Sequence, residues 1–550
     1  MQQELYQFYR IRSYVKPAAK HDNLCRVIVH FAKLALMLVA LSAFSPTLHA
    51  QTSATQEKVP QEAKATDSLW QTEDLPRDAV FRYGSNNRNP SAIGIYVLRF
   101  SRDGTLLAAR DRRNSIRVLD LEKRKLAAVV PTQTSLDYLV SPDNRYVISA
   151  DRKQTRFWSI ADSEIVREIP KPGHKLALSA NPDELVIVGK GVVSRFPLPM
   201  PSKPKDVLTK LGGSSILPAG VSTDGGIAIF HNGRTVELLN TNTGEQIEPV
   251  PQVVPRRAIV SPNGNLLGQV NYGDSRLNIY DLRNAKKYQY VLEDKRRVVT
   301  AVFSSDSRFL YTSNYDNSIV IWDLVTMQQV DRVVGHESRV FALAPAPKKL
   351  LCLASGSAGS DRSVIFWNFR DRLFPPIEDP EKIDFSSVWE QLGSNDVKLS
   401  LDATNRLYRG LENGSDAWQQ LADRLGLLNR RDDELTNQLL KDLDDQKYEV
   451  REKATTMLKE MAERIRPLLE QKLVDGSQEA KWRINKILRM DRDKPVISAA
   501  SGRRKHRVVL ALDLLGNARA DRVLKAIVEA SDPTMRELAK SVLVRRKSLD

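Results

Sequence analysis

Side chains that could carry out chemistry are few in this sequence. Outside the first fifty residues there are four histidines and one cysteine, at His174, His231, His336, His506 and Cys352. None of them has the spacing of a metal site, and neither a Gly-rich phosphate loop nor a nucleophile elbow occurs. We therefore predict no metal, no cofactor and no catalytic residue. Carboxylates assembled from separate segments, as in a hydrolase, remain the enzymatic alternative.

Five arginines form a constellation that suggests a binding site. They are Arg256, Arg257, Arg296, Arg297 and Arg339. Each precedes an apolar alternating run, so in a ring of sheets their loops would lie side by side on one face. Guanidinium groups placed there would bind carboxylate, phosphate or sulfate. The alternative is a solvated rim in which these arginines pair with local acids such as Glu293, Asp294 and Glu337.

Composition limits the class of protein. The 550 residues include 83 basic and 67 acidic side chains, with 41% apolar residues and two cysteines. These proportions are typical of a soluble globular protein, and the length allows more than one domain. Two cysteines are too few for a disulfide framework.

The first 50 residues have the pattern of an export signal. Six basic residues accompany two acids, and the apolar run Leu34–Phe44 is followed by the small residue Ala50. We predict cleavage after Ala50 and a periplasmic or extracellular protein, for which no nucleic-acid partner is expected. The alternative is an uncleaved membrane anchor, although Lys33 leaves the run shorter than the roughly 20 apolar residues of a span. Residues 51–75 lack periodicity and are predicted to be a flexible spacer.

A repeat of about forty residues occupies positions 76–372. Seven times, an apolar alternating run ends at a small residue followed by a turn, at intervals of 38 to 43 residues. The seven positions are Ser101, Ser141, Ser179, Ser222, Ser261, Ser304 and Ala344. This spacing predicts a β-propeller of seven four-stranded blades. Because Pro375 and Pro376 exclude a fourth strand after the last repeat, we expect Ala79–Tyr83 to supply it and close the ring.

Several of these repeats resemble the WD-repeat family. Trp322-Asp323 is a literal WD pair, and the last blade has Gly335-His336. The resemblance implies a structural tetrad of hydrogen-bonded side chains at His336, Ser355, Asp361 and Trp367. It also implies that Asp274, Asp316 and Asp361, each six residues before an aromatic residue, shape turns and have no catalytic role.

From about residue 385 the apolar period changes to 3.6, which predicts helices over 385–550 after a linker at 373–384. Two segments, Asp445 to Ala454 and Asp532 to Ala539, share an Asp-then-Arg turn. This turn resembles the HEAT family, whose stacked helix pairs display an extended surface. The whole chain resembles a bacterial family of exported propeller-plus-HEAT proteins.

The sequence thus predicts an exported, non-enzymatic scaffold that binds partner proteins through the propeller faces and a helical repeat arm. The alternative is a protein that binds anionic cell-surface polysaccharide or lipid through a basic propeller face. The oligomeric state is not indicated by any sequence feature.

Overall fold

The computed structural model describes residues 70–84, 94–132, 135–179, 184–189, 192–198, 205–208, 217–222, 225–231, 236–250, 258–270, 275–282, 289–380, 382–425, 430–461, 466–492, 499–530 and 533–547. No helix within these ranges is long and apolar enough to cross a membrane. The predicted signal peptide, and the predicted spacer up to residue 69, lie outside them.

The described strands form seven antiparallel sheets, which confirms the predicted seven-bladed propeller. In chain order the strands are β1 (Trp70–Gln71), β2 (Ala79–Tyr83), β3 (Ile95–Phe100), β4 (Leu106–Asp111), β5 (Ser115–Asp120), β6 (Lys125–Pro131), β7 (Asp137–Val140), β8 (Tyr146–Ala150), β9 (Thr155–Ser159), β10 (Ile165–Ile169), β11 (Lys175–Leu178), β12 (Glu184–Val188), β13 (Val192–Pro197), β14 (Lys205–Leu208), β15 (Leu217–Val221), β16 (Ile227–His231), β17 (Val236–Asn240), β18 (Gln246–Val250), β19 (Ala258–Val260), β20 (Leu266–Val270), β21 (Arg276–Asp281), β22 (Gln289–Glu293), β23 (Val298–Phe303), β24 (Phe309–Asn314), β25 (Ile319–Asp323), β26 (Gln328–Val333), β27 (Val340–Pro345), β28 (Cys352–Ser357) and β29 (Val364–Asn368).

Blades 1 to 6 take four consecutive strands each, from β3–β6 through β23–β26. Within a blade we call the strands A to D in chain order. The A strands of neighbouring blades contact one another, so they form the inner wall of the ring. Blade 7 has β27, β28 and β29 as strands A to C.

A side-chain turn explains why the sequence repeats at this interval. The Ser101 hydroxyl donates to Asp103 Oδ1 at 2.6 Å and accepts the Leu106 amide at 2.9 Å, which fixes the turn from strand A to strand B. The same two contacts recur at Ser141, Ser261 and Ser304. Ser followed by Asp or Asn two residues later is therefore the signature of this turn.

The ring closes as predicted, because β2 is the fourth strand of blade 7. It pairs with β29 from Ala79 opposite Trp367 to Tyr83 opposite Val364. Beyond β2 lies a fifth strand that the sequence did not predict. Trp70 falls within the predicted spacer 51–75, yet it belongs to β1 because its ring packs 5.3 Å from Phe81.

The carboxy-terminal region is helical as predicted, with eleven helices among the described residues. They are α1 (Arg370–Leu373), α2 (Phe385–Leu392), α3 (Val397–Asn413), α4 (Ser415–Arg424), α5 (Arg430–Asp442), α6 (Tyr448–Met461), α7 (Arg466–Asp475), α8 (Gln478–Arg492), α9 (Ala500–Leu515), α10 (Ala518–Ala530) and α11 (Pro533–Lys547). Local signals set several ends: the Asp396 carboxylate accepts the Leu399 amide and caps α3, and Gly516 ends α9 with a φ of 63°.

The helices divide between two hydrophobic cores. Residues of α2–α4 and α9–α11 share one core with blades 6 and 7, whereas α5–α8 enclose a separate core around Leu458, Leu469 and Ile484. The first group therefore forms one packed body with the propeller. The predicted linker 373–384 belongs to this body at its start, since Phe374 is fully buried in the shared core.

Two buried ion pairs attach the first group of helices to blade 6. Arg507 in α9 donates two hydrogen bonds to Asp323, at 2.9 and 2.7 Å, and neither side chain is exposed. Arg308 donates to Asp513 of α9 at 2.9 Å. Asp513 also pairs with Arg545 of α11 at 2.5 Å. The Asp of the Trp-Asp pair thus has a partner in a distant helix.

Candidate functional site

The two ends of the propeller differ in what covers them. In an antiparallel four-stranded blade, the A–B and C–D turns lie at one end and the B–C and D–A loops at the other. Arg308 lies in an A–B turn, while Asp323 and Gln328 flank a C–D turn, and all three bond to helical-region residues. The helices therefore cover the A–B end of blade 6. We call the opposite end, formed by the B–C and D–A loops, the open face.

In blade 7 the structure brings the four predicted tetrad residues into contact beneath the open face. His336 Nδ1 lies 2.5 Å from Asp361 Oδ2, and its Nε2 lies 2.7 Å from Ser355 Oγ. Trp367 Nε1 donates to the same Ser355 oxygen at 2.7 Å. All four side chains are buried. Since His336 lies in the D–A loop, Ser355 in strand B and Trp367 in strand C, the network ties this loop to the two strands.

Asp361 should make the stability of the propeller depend on acid. Burial alone raises the pKa of this carboxyl, but hydrogen bonds and charge from His336 and a hydrogen bond from Ser363 hold it at about 2, below the usual 3.8. A lowered pKa contributes stability that is complete above about pH 4 and is lost as the pH falls towards 2. We expect Asp361→Asn to cost about 2 kcal/mol at neutral pH.

The difference in melting temperature between wild type and Asp361→Asn should therefore shrink between pH 4 and pH 2. A difference that stays constant across this range would show that the ionised carboxylate contributes nothing. Asp316→Asn is the matched control, because that turn aspartate is exposed.

Other blades use variants of the same tie between strands B and C. Trp158 Nε1 donates to Ser149 Oγ at 2.9 Å, and Trp322 Nε1 donates to Thr312 Oγ1 at 3.1 Å. In blade 6, Asp294 stands four residues before strand A, the position that His336 has in blade 7. Asp294 is buried and accepts hydrogen bonds from Asn314 and Arg332 at 2.7 and 2.6 Å.

Three of the five predicted arginines lie together on the open face, and Arg256 and Arg257 lie outside the described residues. The Arg339 guanidinium stacks on the Tyr315 ring, with 4.2 Å from its carbon to the ring centre. The Tyr315 amide donates to the carbonyl of Arg297 at 2.9 Å. Arg296 pairs with Asp316 at 3.5 Å. Tyr315 thus joins the D–A loops of blades 6 and 7.

The acids considered as partners for these arginines are mostly engaged elsewhere. Asp294 holds Arg332, and Glu293 pairs with Arg276 at 2.9 Å. The Glu337 side chain is exposed on the open face. Arg296 therefore has an acidic partner, as the alternative of a solvated rim requires, but that partner is Asp316. The side chains of Glu293 and Asp294 pair with arginines outside the predicted five.

Sequence reasoning missed six further cations of the open face, Lys295 and Arg362 among them. Arg112, Arg113, Arg152 and Lys153 are exposed in the B–C loops of blades 1 and 2. Beneath them Asp111 accepts the amide of Arg113 at 2.8 Å, and Asp151 accepts the amide of Lys153 at 2.7 Å, so both loops turn outward. The available signal was the pair Asp-Arg-Arg-Asn and Asp-Arg-Lys-Gln, forty residues apart.

The cysteine and the three other histidines considered as candidates lie in strands, a loop and a helix. Cys352 lies in β28, where burial raises the pKa of its thiol to about 11 against the opposing charges of Lys349 and Arg370. His174 lies in a D–A loop, His231 ends β16 and His506 lies within α9. In the described part of the chain no three His, Cys, Asp or Glu residues are grouped as a metal site would require.

A comparison with known protein families identifies the family of the repeats in which the site lies. The family model "WD domain, G-beta repeat" matches residues 286–323 and 327–368, which contain strand D of blade 5 with strands A to C of blade 6, and strand D of blade 6 with strands A to C of blade 7. The chain carries WD40 repeats. The tetrad and the Tyr315 cluster both fall within these matched WD40 repeats.

Curated relatives resemble this chain over part of their length. "B-type cell cycle switch protein ccs52B" of Medicago truncatula is 25% identical over 26% of this chain and 29% of its own length. "Protein FIZZY-RELATED 1" of Arabidopsis thaliana is 32% identical over 16% of this chain and 19% of its own. The chain thus spans less than a third of these relatives.

A solved structure, the Myceliophteria thermophila Cps50 (Swd1) β-propeller domain, aligns with a TM-score of 0.41 and 14% identity. The alignment covers 52% of this chain and 99% of that one.

Proposed function

We propose that the protein is a non-enzymatic scaffold whose open face binds partner proteins. WD40 propellers typically serve as protein-interaction scaffolds. The observation that carries the proposal is the charge of the open face. Its described loops expose nine cations from four blades and two carboxylates, Asp316 and Glu337. The cations are Arg112, Arg113, Arg152, Lys153, Lys295, Arg296, Arg297, Arg339 and Arg362.

The buried carboxylates of this face support a binding role over a hydrolytic one. Asp111 and Asp151 accept amides of their own loops, Asp294 accepts from Asn314 and Arg332, and Asp361 belongs to the tetrad. Apart from Asp111 Oδ2, which lies 4.0 Å from Arg117 Nε without a hydrogen bond, their oxygens are occupied in shaping the loops. A hydrolase would need carboxylates that face a substrate.

Site-specific photo-crosslinking tests which face the partner contacts. A photoreactive residue at Arg113, on the open face, should give adducts with another protein in cells. The same residue at Arg145, an exposed A–B turn position on the same ring, should give none. Adducts that form only at position 145 would contradict the proposal.

A second candidate, an anionic polysaccharide or lipid surface, follows from the same excess of cations. Such a ligand would bind through charge alone, and its retention should fall steeply with salt. Binding of purified protein to anionic vesicles at low salt, with no protein adducts at Arg113, would favour this candidate.

We also propose that the protein is exported, on the pattern of residues 1–50. The expected mature chain begins at Gln51, because cleavage follows the small residue Ala50. Amino-terminal sequencing of the protein from fractionated cells measures this directly. Recovery of a chain that keeps residues 1–50 in the cytosolic fraction would contradict it, and recovery of that chain in the membrane fraction would support the uncleaved anchor.

A further inference from the structure

We infer that the partner presents an acidic segment with an apolar side chain, which lies across the open face of blades 6, 7, 1 and 2. This inference rests on the proposed function and adds the chemistry of the partner. Its two supports are a continuous arc of cations and an aromatic pair at the mouth of the central channel.

The cations form an arc because their blades are neighbours in the ring. The A strands β23, β27, β3 and β7 contact one another in that order, so the loops above them are adjacent. Along this arc the exposed basic residues run from Lys295 through Arg339 and Arg113 to Lys153. The buried carboxylates beneath the loops fix the backbone, while the guanidinium and ammonium groups remain outside.

The channel mouth adds an apolar anchor point. The rings of Tyr96 in β3 and Phe341 in β27 are in contact, tilted by 40° with their centres 5.3 Å apart, and Tyr96 keeps 38% of its surface exposed. Both follow the first residue of an A strand, and the register of Ile95 with Asp111 and of Val340 with Ser357 places that end at the open face. The aromatic pair thus lies on the inner side of the arginine arc.

This combination favours a peptide over a polysaccharide or a lipid surface. Exposed aromatic rings bordered by arginine are the composition of protein-binding hot spots. An acidic peptide can bind both the cations and the aromatic pair. Its carboxylates would accept hydrogen bonds from the guanidinium groups of Arg297 and Arg339, while an apolar side chain covers Tyr96. A polysaccharide offers no apolar side chain, and a bilayer contacts a flat surface more readily than a channel mouth.

The test measures binding of a fluorescein-labelled peptide in which glutamates surround one phenylalanine, by fluorescence anisotropy with the full chain. We expect the double variant Arg297→Glu/Arg339→Glu to weaken binding by at least about tenfold. Tyr96→Ala should also weaken it by about tenfold. Arg145→Glu on the other end of blade 2 is the matched charge control and should leave affinity unchanged. Melting temperatures of all variants show whether the propeller remains folded.

A second peptide separates the inference from the proposed function. In this peptide glutamine replaces every glutamate, and we expect it to bind at least about tenfold more weakly. Equal binding of both peptides, lost in Tyr96→Ala, would overturn the acidic partner while leaving a protein-binding face. Binding of neither peptide, together with binding of anionic vesicles that is lost in the double variant, would overturn both. Peptide binding that survives every open-face variant would also overturn both the inference and the proposed function.

Discussion

Replacement of Arg507 by methionine should lower the free energy of unfolding by about 3–5 kcal/mol, because it leaves the Asp323 carboxylate buried without its partner. Both side chains of this pair are fully buried between α9 and blade 6. Arg507 also donates to Ser400 of α3 at 3.1 Å, so the change removes a contact between two helices as well. The urea midpoint of unfolding and the rate of proteolysis between propeller and helices measure the effect.

Two further variants show whether the lost pair causes this destabilisation. In the double variant Arg507→Met/Asp323→Asn, the side-chain oxygen of the new asparagine can still accept the hydrogen bond from the Thr326 backbone N–H. No charge is left buried, so part of the lost stability should return. Lys540→Met removes an exposed pair with Glu537 and should cost less than about 1 kcal/mol. A single Arg507→Met variant as stable as Lys540→Met would contradict the role of the buried pair.

Removal of β1 and β2 should open the ring. Deletion of residues 70–84 exposes the edge of β29 and the ring of Phe366, against which Phe81 packs at 4.1 Å between ring centres. Unpaired strand edges promote association, so we expect a lower melting temperature and concentration-dependent oligomers. Light scattering and thermal unfolding measure both outcomes.

Point variants within β2 give the same test without a deletion. Phe81→Ala should cost about 3 kcal/mol through the lost aromatic contacts. Val80→Ala, whose side chain is 48% exposed in the same strand, should cost less than about 0.5 kcal/mol. If the deletion melts no earlier than the full chain, closure by this strand contributes nothing to the stability of the ring.

The blade count and the closing strand could both be predicted because their causes are local. Each Ser-x-Asp or Ser-x-Asn turn is built within five residues, so it leaves a mark in the sequence of each repeat that has it. Pro375 and Pro376 exclude a strand in the same direct way. By contrast, β1 has two residues and depends on the contact between Trp70 and Phe81, which no pattern in the neighbouring sequence indicates.

The candidate site shows the same division between local and distant causes. The position of Arg297 and Arg339 on one face follows from the alternation of loops in a meander, and sequence reasoning reached it. Their common neighbour Tyr315 lies in a different loop, and the aromatic pair Tyr96 and Phe341 joins the first blade to the last. The contacts of Tyr315 depend on the packing of blade 6 against blade 7, and the aromatic pair exists only when the ring is closed.

The sequence by itself determined the repeat, the turn chemistry and the change to helices, since periodicity and capping act over a few residues. Only the tertiary structure decided that Asp323 is held by Arg507, 184 positions away, and that the helices cover one end of blade 6. The sequence around an Asp or an Arg is the same whether its side chain is solvated or forms a buried ion pair. Which of the two occurs depends on the packing of distant elements.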